Sequence, residues 1–268
     1  MKIVFLGGGN MAAALIGGML QQGLCKAEVQ VIDVSDSARR RFEEMGIAAH
    51  PQWDSRTRAD VVVFAVKPQQ MKDAVSGVKA HCGCALVVSI AAGIRCADLA
   101  RWLDGHGRIV RAMPNTPALI GAGVSGLYPT AGVDAADRRA AEQILSAAGK
   151  SVWFDDETML DAVTAVSGSG PGYVFYFVEA LEEAALTLGL DSRAARLLAV
   201  ETFLGAAKLA ASSDDEPAVL RAKVTSKGGT TESAIELMES RDIKACIIAA
   251  VQRAGQRAAE LGDLFGKD

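Results

Sequence analysis

From Lys2 to about Asp155, short runs of β-branched and aliphatic residues alternate with segments of helical period. The runs Ile3–Leu6, Val29–Ile32, Val61–Val66, Ala85–Ile90 and Ile109–Ala112 are continuous rather than alternating, which predicts strands buried on both faces. Helix-period segments between them, such as Ala13–Leu20, predict a parallel-rich sheet with helices on both sides. After Asp155 the strand-like runs nearly vanish. Long Ala/Leu/Glu stretches, Tyr173–Thr187, Ser192–Ala211 and Asp242–Leu261, predict an all-α second domain. The expected division is an α/β domain over 1–155 and a helical domain over 156–268.

The second-domain helices carry few charges over much of their circumference, notably Leu197–Ala211 and Ile243–Val251. A helix apolar nearly all round has to be buried, and one chain of 268 residues has little other material to bury it with. The expectation is a homodimer, or a higher oligomer containing it, built through the helical domain.

Composition narrows the class. A net charge of −4 and a pI near 5.5 leave no extended basic field, so nucleic acid is not an expected partner. No run approaches the roughly twenty apolar residues that span a bilayer, and the apolar start of the chain is broken by Gly7-Gly8-Gly9 where a secretory leader stays continuous. Neither a membrane nor export is expected. Five cysteines without a repeating ligand spacing predict a reduced, cytoplasmic protein with no metal site. The pair Cys82 and Cys84 has no second ligand pair to complete it.

The first strand runs directly into Gly7-Gly8-Gly9-Asn10-Met11-Ala12, a G-x-G-x-x-A turn that opens a helix. Strand before and helix after are the context that makes this a dinucleotide-binding Rossmann fingerprint. Gly7 permits the tight turn, Gly9 lets the backbone approach a pyrophosphate, and Ala12 keeps helix and strand close. Phosphates then sit at the helix N-terminus beside Asn10 and Met11, where N–H groups and the dipole stabilise negative charge. The residues after the second strand bear on the choice of nucleotide. Asp33 stands where an acid accepts from a ribose 2′-OH, favouring NAD; Ser35 and the run Arg39-Arg40-Arg41 offer donors to a 2′-phosphate, favouring NADP. An Asp33 turned away costs nothing, so the expected cofactor is NADPH, held in part by Ser35 and Arg39, with NADH as a usable alternative.

Further along lie Ala65-Val66-Lys67-Pro68 at the carboxyl end of a strand, then Ser89-Ile90-Ala91-Ala92-Gly93, then Met113-Pro114-Asn115-Thr116-Pro117, then Ser167-Gly168-Ser169-Gly170-Pro171. Open α/β sheets bind ligands at that edge, small residues such as Ala91, Ala92 and Gly93 admit a flat ring, and Pro68 suits the first position of a helix. Read structurally, the Asn115 run is a stiff linker and Ser167–Pro171 a helix cap. Near the C-terminus come Val224-Thr225-Ser226, Gly228-Gly229-Thr230-Thr231 and Ala234-Ile235. As a series, these motifs resemble pyrroline-5-carboxylate reductase, in the same order and over essentially the whole chain.

That resemblance implies a Rossmann domain followed by a helical dimerisation domain, and NAD(P)H-dependent reduction of the cyclic imine (S)-1-pyrroline-5-carboxylate to L-proline, the last step of proline biosynthesis. It implies that Thr231 is the catalytic residue, hydrogen-bonding the ring nitrogen. It implies a substrate cradle of Ser226, Gly228, Gly229, Thr230 and Thr231, with Ser169 on one wall of the pocket. Ala65, Val66, Lys67, Pro68, Ala91, Ala92, Gly93 and Asn115 are expected around the cofactor with Gly7, Gly9, Asn10, Met11, Ser35 and Arg39. Two departures stand out: Lys227 replaces a proline common in the glycine turn, and Gly172 an alanine.

Two competing readings remain. Hydroxyacid dehydrogenases also join a Rossmann domain to helices, yet use a lysine on the long interdomain helix, and Gly172–Leu190 contains none. An imine nitrogen carries its own proton and does without that acid. A non-catalytic dinucleotide-binding protein is the other alternative, against which the glycine–threonine loop at 228–231 argues.

Overall fold

The computed structural model describes residues 1–54 and 57–267. Eight strands, β1 (Ile3–Leu6), β2 (Val29–Ile32), β3 (Ala48–His50), β4 (Val61–Phe64), β5 (Leu86–Ser89), β6 (Ile109–Met113), β7 (Gly123–Pro129) and β8 (Gly149–Trp153), form one sheet in the order β3-β2-β1-β4-β5-β6-β7-β8. Neighbours run parallel throughout except β6 and β7, which pair antiparallel with Ala112 opposite Leu127. The five runs read from the pattern are all strands: the first two keep their bounds, Val61–Val66 and Ala85–Ile90 are trimmed to β4 and β5, and Ile109–Ala112 gains Met113. β3 and β8, the two edge strands, escaped the pattern because they expose alternate residues, and β7 because Gly123, Ser125 and Gly126 interrupt its apolar run and Pro129 ends it.

Between the strands lie α1 (Asn10–Gln21), α2 (Asp36–Glu44), α3 (Met71–Cys82), α4 (Cys96–Trp102) and α5 (Ala135–Ser146). Side chains of each strand alternate between two cores. Ile3 and Phe5 of β1 pack with Leu15 and Ile16 of α1, Phe42 of α2 and Ile144 of α5. Val4 and Leu6 face the other way, toward Met71 and Val75 of α3 and Leu99 of α4. Each of these fully buried side chains contributes on the order of 1.5–3 kcal/mol. Gly18 sets the distance on the first face, since a methyl there would lie 2.0 Å from the carbonyl oxygen of Ala147.

The remaining helices are α6 (Met159–Val163), α7 (Gly170–Thr187), α8 (Ser192–Ala211), α9 (Pro217–Lys223), α10 (Thr230–Ser240) and α11 (Ile243–Phe265), with a π-turn at Thr164–Gly168. Two compact units result: Met1–Ser169 with Ala254–Asp268, and Gly170–Arg253. The boundary read from the sequence, 155/156, follows the loss of strand pattern; the first unit instead runs on to Ser169 and takes in the last turns of α11. The reason is local packing. Phe265 lies against Gly93, Asp263 pairs with Arg95 at 2.8 Å, and Arg101 donates to the Gly266 carbonyl at 2.8 Å.

The second unit is helical throughout. Among the described residues of Gly170–Arg253, Ala195 and Ala199 are the only buried apolar side chains. Phe175, Tyr176, Leu197, Leu198, Leu209 and Leu237 are each more than half exposed. Among the described residues no helix is long and apolar enough to cross a membrane.

Candidate active site

The chain order reverses between β1 and β4, which are hydrogen-bonded neighbours although β2 and β3 intervene in sequence. Their carboxyl ends diverge into loops on opposite faces and leave a crevice, the place where open α/β sheets bind ligands. A cleft of about 520 Å³ opens there, lined among others by Gly7, Gly9, Asp33, Trp53, Ala65, Val66 and Lys67. Gly7 has φ +100°, and a Cβ on it would lie 2.8 Å from the Ala65 carbonyl, so only glycine passes here. Gly9 is different. It has ordinary backbone angles, φ −70° and ψ −175°, and nothing within 4 Å of where a Cβ would point. As N-cap of α1 it offers no side-chain acceptor, so the first N–H groups of that helix are left for another partner. An open cradle backed by uncapped N–H groups fits a pyrophosphate.

Of the other residues expected around a cofactor, Lys67 is exposed at the end of the strand and Pro68 opens a short 3-10 turn at its first position. Asn10 accepts from Arg41 at 3.1 Å, and Met11 packs onto the α1 core. Ala91 and Gly93 are buried, with Gly93 at φ +73° against Phe265. Asn115 is buried with its amide engaged: Nδ2 donates to the Ser167 carbonyl at 3.1 Å, and Oδ1 accepts from Val124 N–H at 2.9 Å. It ties the end of β6 to the start of β7 and to the π-turn.

Asp33 is not turned away. Its Oδ2 accepts from Gly8 N–H at 2.6 Å and its Oδ1 from Ser35 N–H at 2.7 Å. Ser35 caps α2 through Oγ, which accepts from Ala38 N–H at 3.4 Å. Arg39 donates to the Asp33 carbonyl at 2.7 Å and pairs with Asp36.

The second unit carries its own polar loop. Gly228, at φ +72°, and Gly229 lead into α10, whose N-cap Gly229 supplies no side-chain acceptor. Gly228 N–H donates to Glu232 Oε2 at 2.6 Å and Gly229 N–H to the Ser226 carbonyl at 3.0 Å. The glycine N–H groups expected to receive an anion are therefore already satisfied, and the donors left at this helix start are those of Thr230, Thr231 and Glu232. Thr231 is partly buried and Lys227 exposed. Ser169 belongs to the first unit, where its N–H closes the π-turn on Thr164 at 2.8 Å.

Residues 157–261 match the family described as pyrroline-5-carboxylate reductase dimerisation, and residues 2–93 the family described as NADP oxidoreductase coenzyme F420-dependent. A pyrroline-5-carboxylate reductase of Pseudomonas aeruginosa is 46% identical over 99% of this chain and 98% of its own length. The chain belongs to the pyrroline-5-carboxylate reductase family. A relative in Arabidopsis thaliana bearing the same family name is 36% identical, covering 97% of this chain and 95% of its own. The solved structure of a Coxiella burnetii pyrroline-5-carboxylate reductase is 40% identical and superposes with a TM-score of 0.91, covering 97% of this chain and 98% of that one. A Plasmodium falciparum pyrroline carboxylate reductase with NADP bound superposes at 0.86, with 26% identity and 98% of both chains covered. Like its family, the chain is an NAD(P)H-dependent oxidoreductase.

Sequence reasoning passed over several residues of this reductase-family fold. Trp53, Gln70, Asp73 and Gly77 also line the cleft, and Trp53 stacks on His81 with ring centroids 5.5 Å apart. Nothing near Trp53 in sequence marks it; it arrives from the loop after β3. A buried ionic hub was likewise missed. Arg111, with its side chain 4% exposed, meets Glu157 at 3.0 Å and Asp161 at 3.6 Å, while Glu157 also accepts from Cys96 N–H at 2.8 Å. The arginine in an otherwise apolar strand was the available signal. Burial, then the charge of Glu157, pushes the Cys96 thiol up, and burial alone raises Cys82 to about 11.

Proposed function

We propose that this chain reduces (S)-1-pyrroline-5-carboxylate to L-proline with NAD(P)H as the final step of proline biosynthesis, and that the glycine turn at 7–9 and the uncapped start of α10 divide the two binding tasks. The observation that carries the reading is the second one: a helix N-terminus with no side-chain cap, preceded by two glycines and carrying Thr231 in its first turn. Such a terminus receives a carboxylate through backbone donors, here Thr230 and Thr231, with Ser226, Gly228 and Gly229 shaping the turn. Glu232 holds Gly228 in place rather than binding substrate. The Thr231 hydroxyl oxygen accepts from the protonated ring nitrogen, orienting the imine carbon as hydride transfer removes the positive charge.

The bound dinucleotide supplies the hydride. Gly7 and Gly9 with Asn10 and Met11 hold its pyrophosphate, and Ala65–Pro68 with Ala91–Gly93 form the walls beside the nicotinamide. Ser35 and Arg39 shape the adenosine end. Asn115 acts behind these walls as a brace, and Ser169 continues the wall at the π-turn. No lysine is required on α7, because the imine nitrogen brings its own proton.

Two further points belong to the same reading. The apolar helices of the second unit are covered by a second copy of the chain, which their exposure and the dimerisation family both support. Cysteines held as free thiols, with Cys25 and Cys84 exposed, suit the reducing cytoplasm. The test is nicotinamide oxidation by purified protein with pyrroline-5-carboxylate and, separately, with a 2-keto acid. Turnover with the imine alone is expected. Turnover with the keto acid alone makes the enzyme a hydroxyacid dehydrogenase and removes the Thr231 role.

A further inference from the structure

We infer that the carboxyl-terminal turn of α11, from Leu261 to Gly266, is a positioning element for the loop Ala91–Gly93, with Phe265 its principal contact. This role rests on the reading of Ala91–Gly93 as a wall beside the nicotinamide, and adds to that wall residues from the far end of the chain.

The wall draws its support from elsewhere. Between β5 and α4 the chain is pinned at both ends: Ile90 N–H donates to the Phe64 carbonyl at 3.0 Å, and Cys96 N–H to Glu157 Oε1 at 2.8 Å. Between these pins Ala92 and Gly93 form the tip of a turn, with Gly93 at φ +73°. Among the described residues no backbone hydrogen bond ties those two to another element. What closes over the tip is α11. From the position a Cβ would take on Gly93, Phe265 Cδ2 lies 3.0 Å away and the Leu261 carbonyl carbon 3.4 Å, and Gly93 is buried.

Polar contacts on either side of Phe265 hold it there. The Arg95 guanidinium lies across Gly262, where a Cβ would come within 3.0 Å of Nη2, and pairs with Asp263 at 2.8 Å. Arg101 Nη2 donates to the Gly266 carbonyl at 2.8 Å and pairs with the buried Asp98 at 3.1 Å. The end of the helix is thus fastened to the residues directly after the wall, which aims Phe265 at the wall's tip. Hydride transfer is sensitive to such support, since a displacement of about 1 Å at the reacting atoms costs roughly a hundredfold in rate. Pyrophosphate binding at the glycine turn draws on other residues, so a loosened tip shows in turnover and not in nucleotide affinity.

Phe265→Ala in the full-length protein is the test, with Phe265→Leu as the conservative variant, both assayed well below their melting temperatures. Hydrogen exchange without nucleotide is expected to rise about tenfold or more in the peptide containing Ala91–Ile94 and to stay unchanged in that containing Gly7–Ala12. Turnover with pyrroline-5-carboxylate is expected to fall roughly tenfold in Phe265→Ala, with calorimetric nucleotide affinity within about twofold of wild type. Phe265→Leu, which keeps apolar bulk in the same place, is expected to hold turnover within about threefold. Unchanged exchange at 91–94 overturns the inference, as does normal turnover, or a loss shared equally by nucleotide affinity. Should Phe265→Ala not fold, the wild type decides: the peptides at 91–94 and 261–266 are expected to open together as denaturant is raised, and separate openings overturn the inference. A wild type that binds no dinucleotide is a different result, which removes the proposed function whatever the exchange pattern.

Discussion

Gly7 and Gly9 are two residues apart in one turn, and the structure separates what each is for. Replacing Gly7 with alanine puts a non-glycine residue at φ +100°, worth about 1–3 kcal/mol, and drives a methyl to 2.8 Å from the Ala65 carbonyl, where overpacking adds about 1–3 kcal/mol. The sum, on the order of 2–6 kcal/mol, lowers the melting temperature by roughly 5–20 °C for a protein of this size. Replacing Gly9 with alanine meets nothing within 4 Å and demands no unusual angle, so its effect on stability is at most about 1 kcal/mol, that of an altered N-cap. The new methyl instead stands in the open cradle before the N–H groups of α1, and nucleotide affinity is expected to fall by roughly tenfold to a hundredfold, about 1.4–2.8 kcal/mol. Thermal melts without nucleotide and calorimetric titrations with NADH and NADPH measure the two quantities independently. If Gly9→Ala binds within about twofold of wild type, or melts as low as Gly7→Ala, the assignment of the turn is wrong.

Thr231→Ala is expected to cut turnover sharply while leaving nucleotide affinity unchanged; normal turnover would take the hydroxyl out of the reaction. Glu157→Leu strands the buried Arg111 with only the longer Asp161 contact and leaves Cys96 N–H without its acceptor, so a loss of about 3 kcal/mol is expected in denaturant melts; a change under about 1 kcal/mol would mean that the hub is already hydrated. Leu204→Glu places a charge on an exposed apolar stretch of α8, and sedimentation should report a shift from dimer toward monomer, with an unchanged dimer refuting use of that face. Native alkylation near neutral pH should label Cys25 and Cys84 and spare Cys82, whose thiolate becomes abundant only as pH rises toward about 11; equal labelling of Cys82 and Cys84 would contradict its burial.

Much of this protein is legible in one dimension because its parallel sheet is covered on both faces. Strands in that position are continuous apolar runs, and Ile3–Leu6 and Val61–Phe64 declare themselves without help from their neighbours. The glycine turn is equally local, since the tight φ at Gly7 and the open side of Gly9 are properties of a strand entering a helix. The helical character of Ser192–Ala211 is legible to the residue, with Asp191 accepting from Ala194 N–H as its cap. Family motifs extended that reading to the glycine–threonine loop at 226–231.

What the tertiary structure alone decided are the partners of polar groups. Asp33 reads from the sequence as an acid free to turn away, yet it is pinned by Gly8, which reaches it only because β1 and β2 are neighbours in the sheet. Gly228 reads as an anion donor until Glu232 takes its N–H. Asn115 reads as a cofactor neighbour, and only the fold shows that its amide also braces the chain across 52 residues to Ser167. Apolar burial follows from a residue's own period, so a pattern carries it. A hydrogen bond needs a second atom at a set distance and angle, and which atom that is depends on chain packing from elsewhere in the sequence.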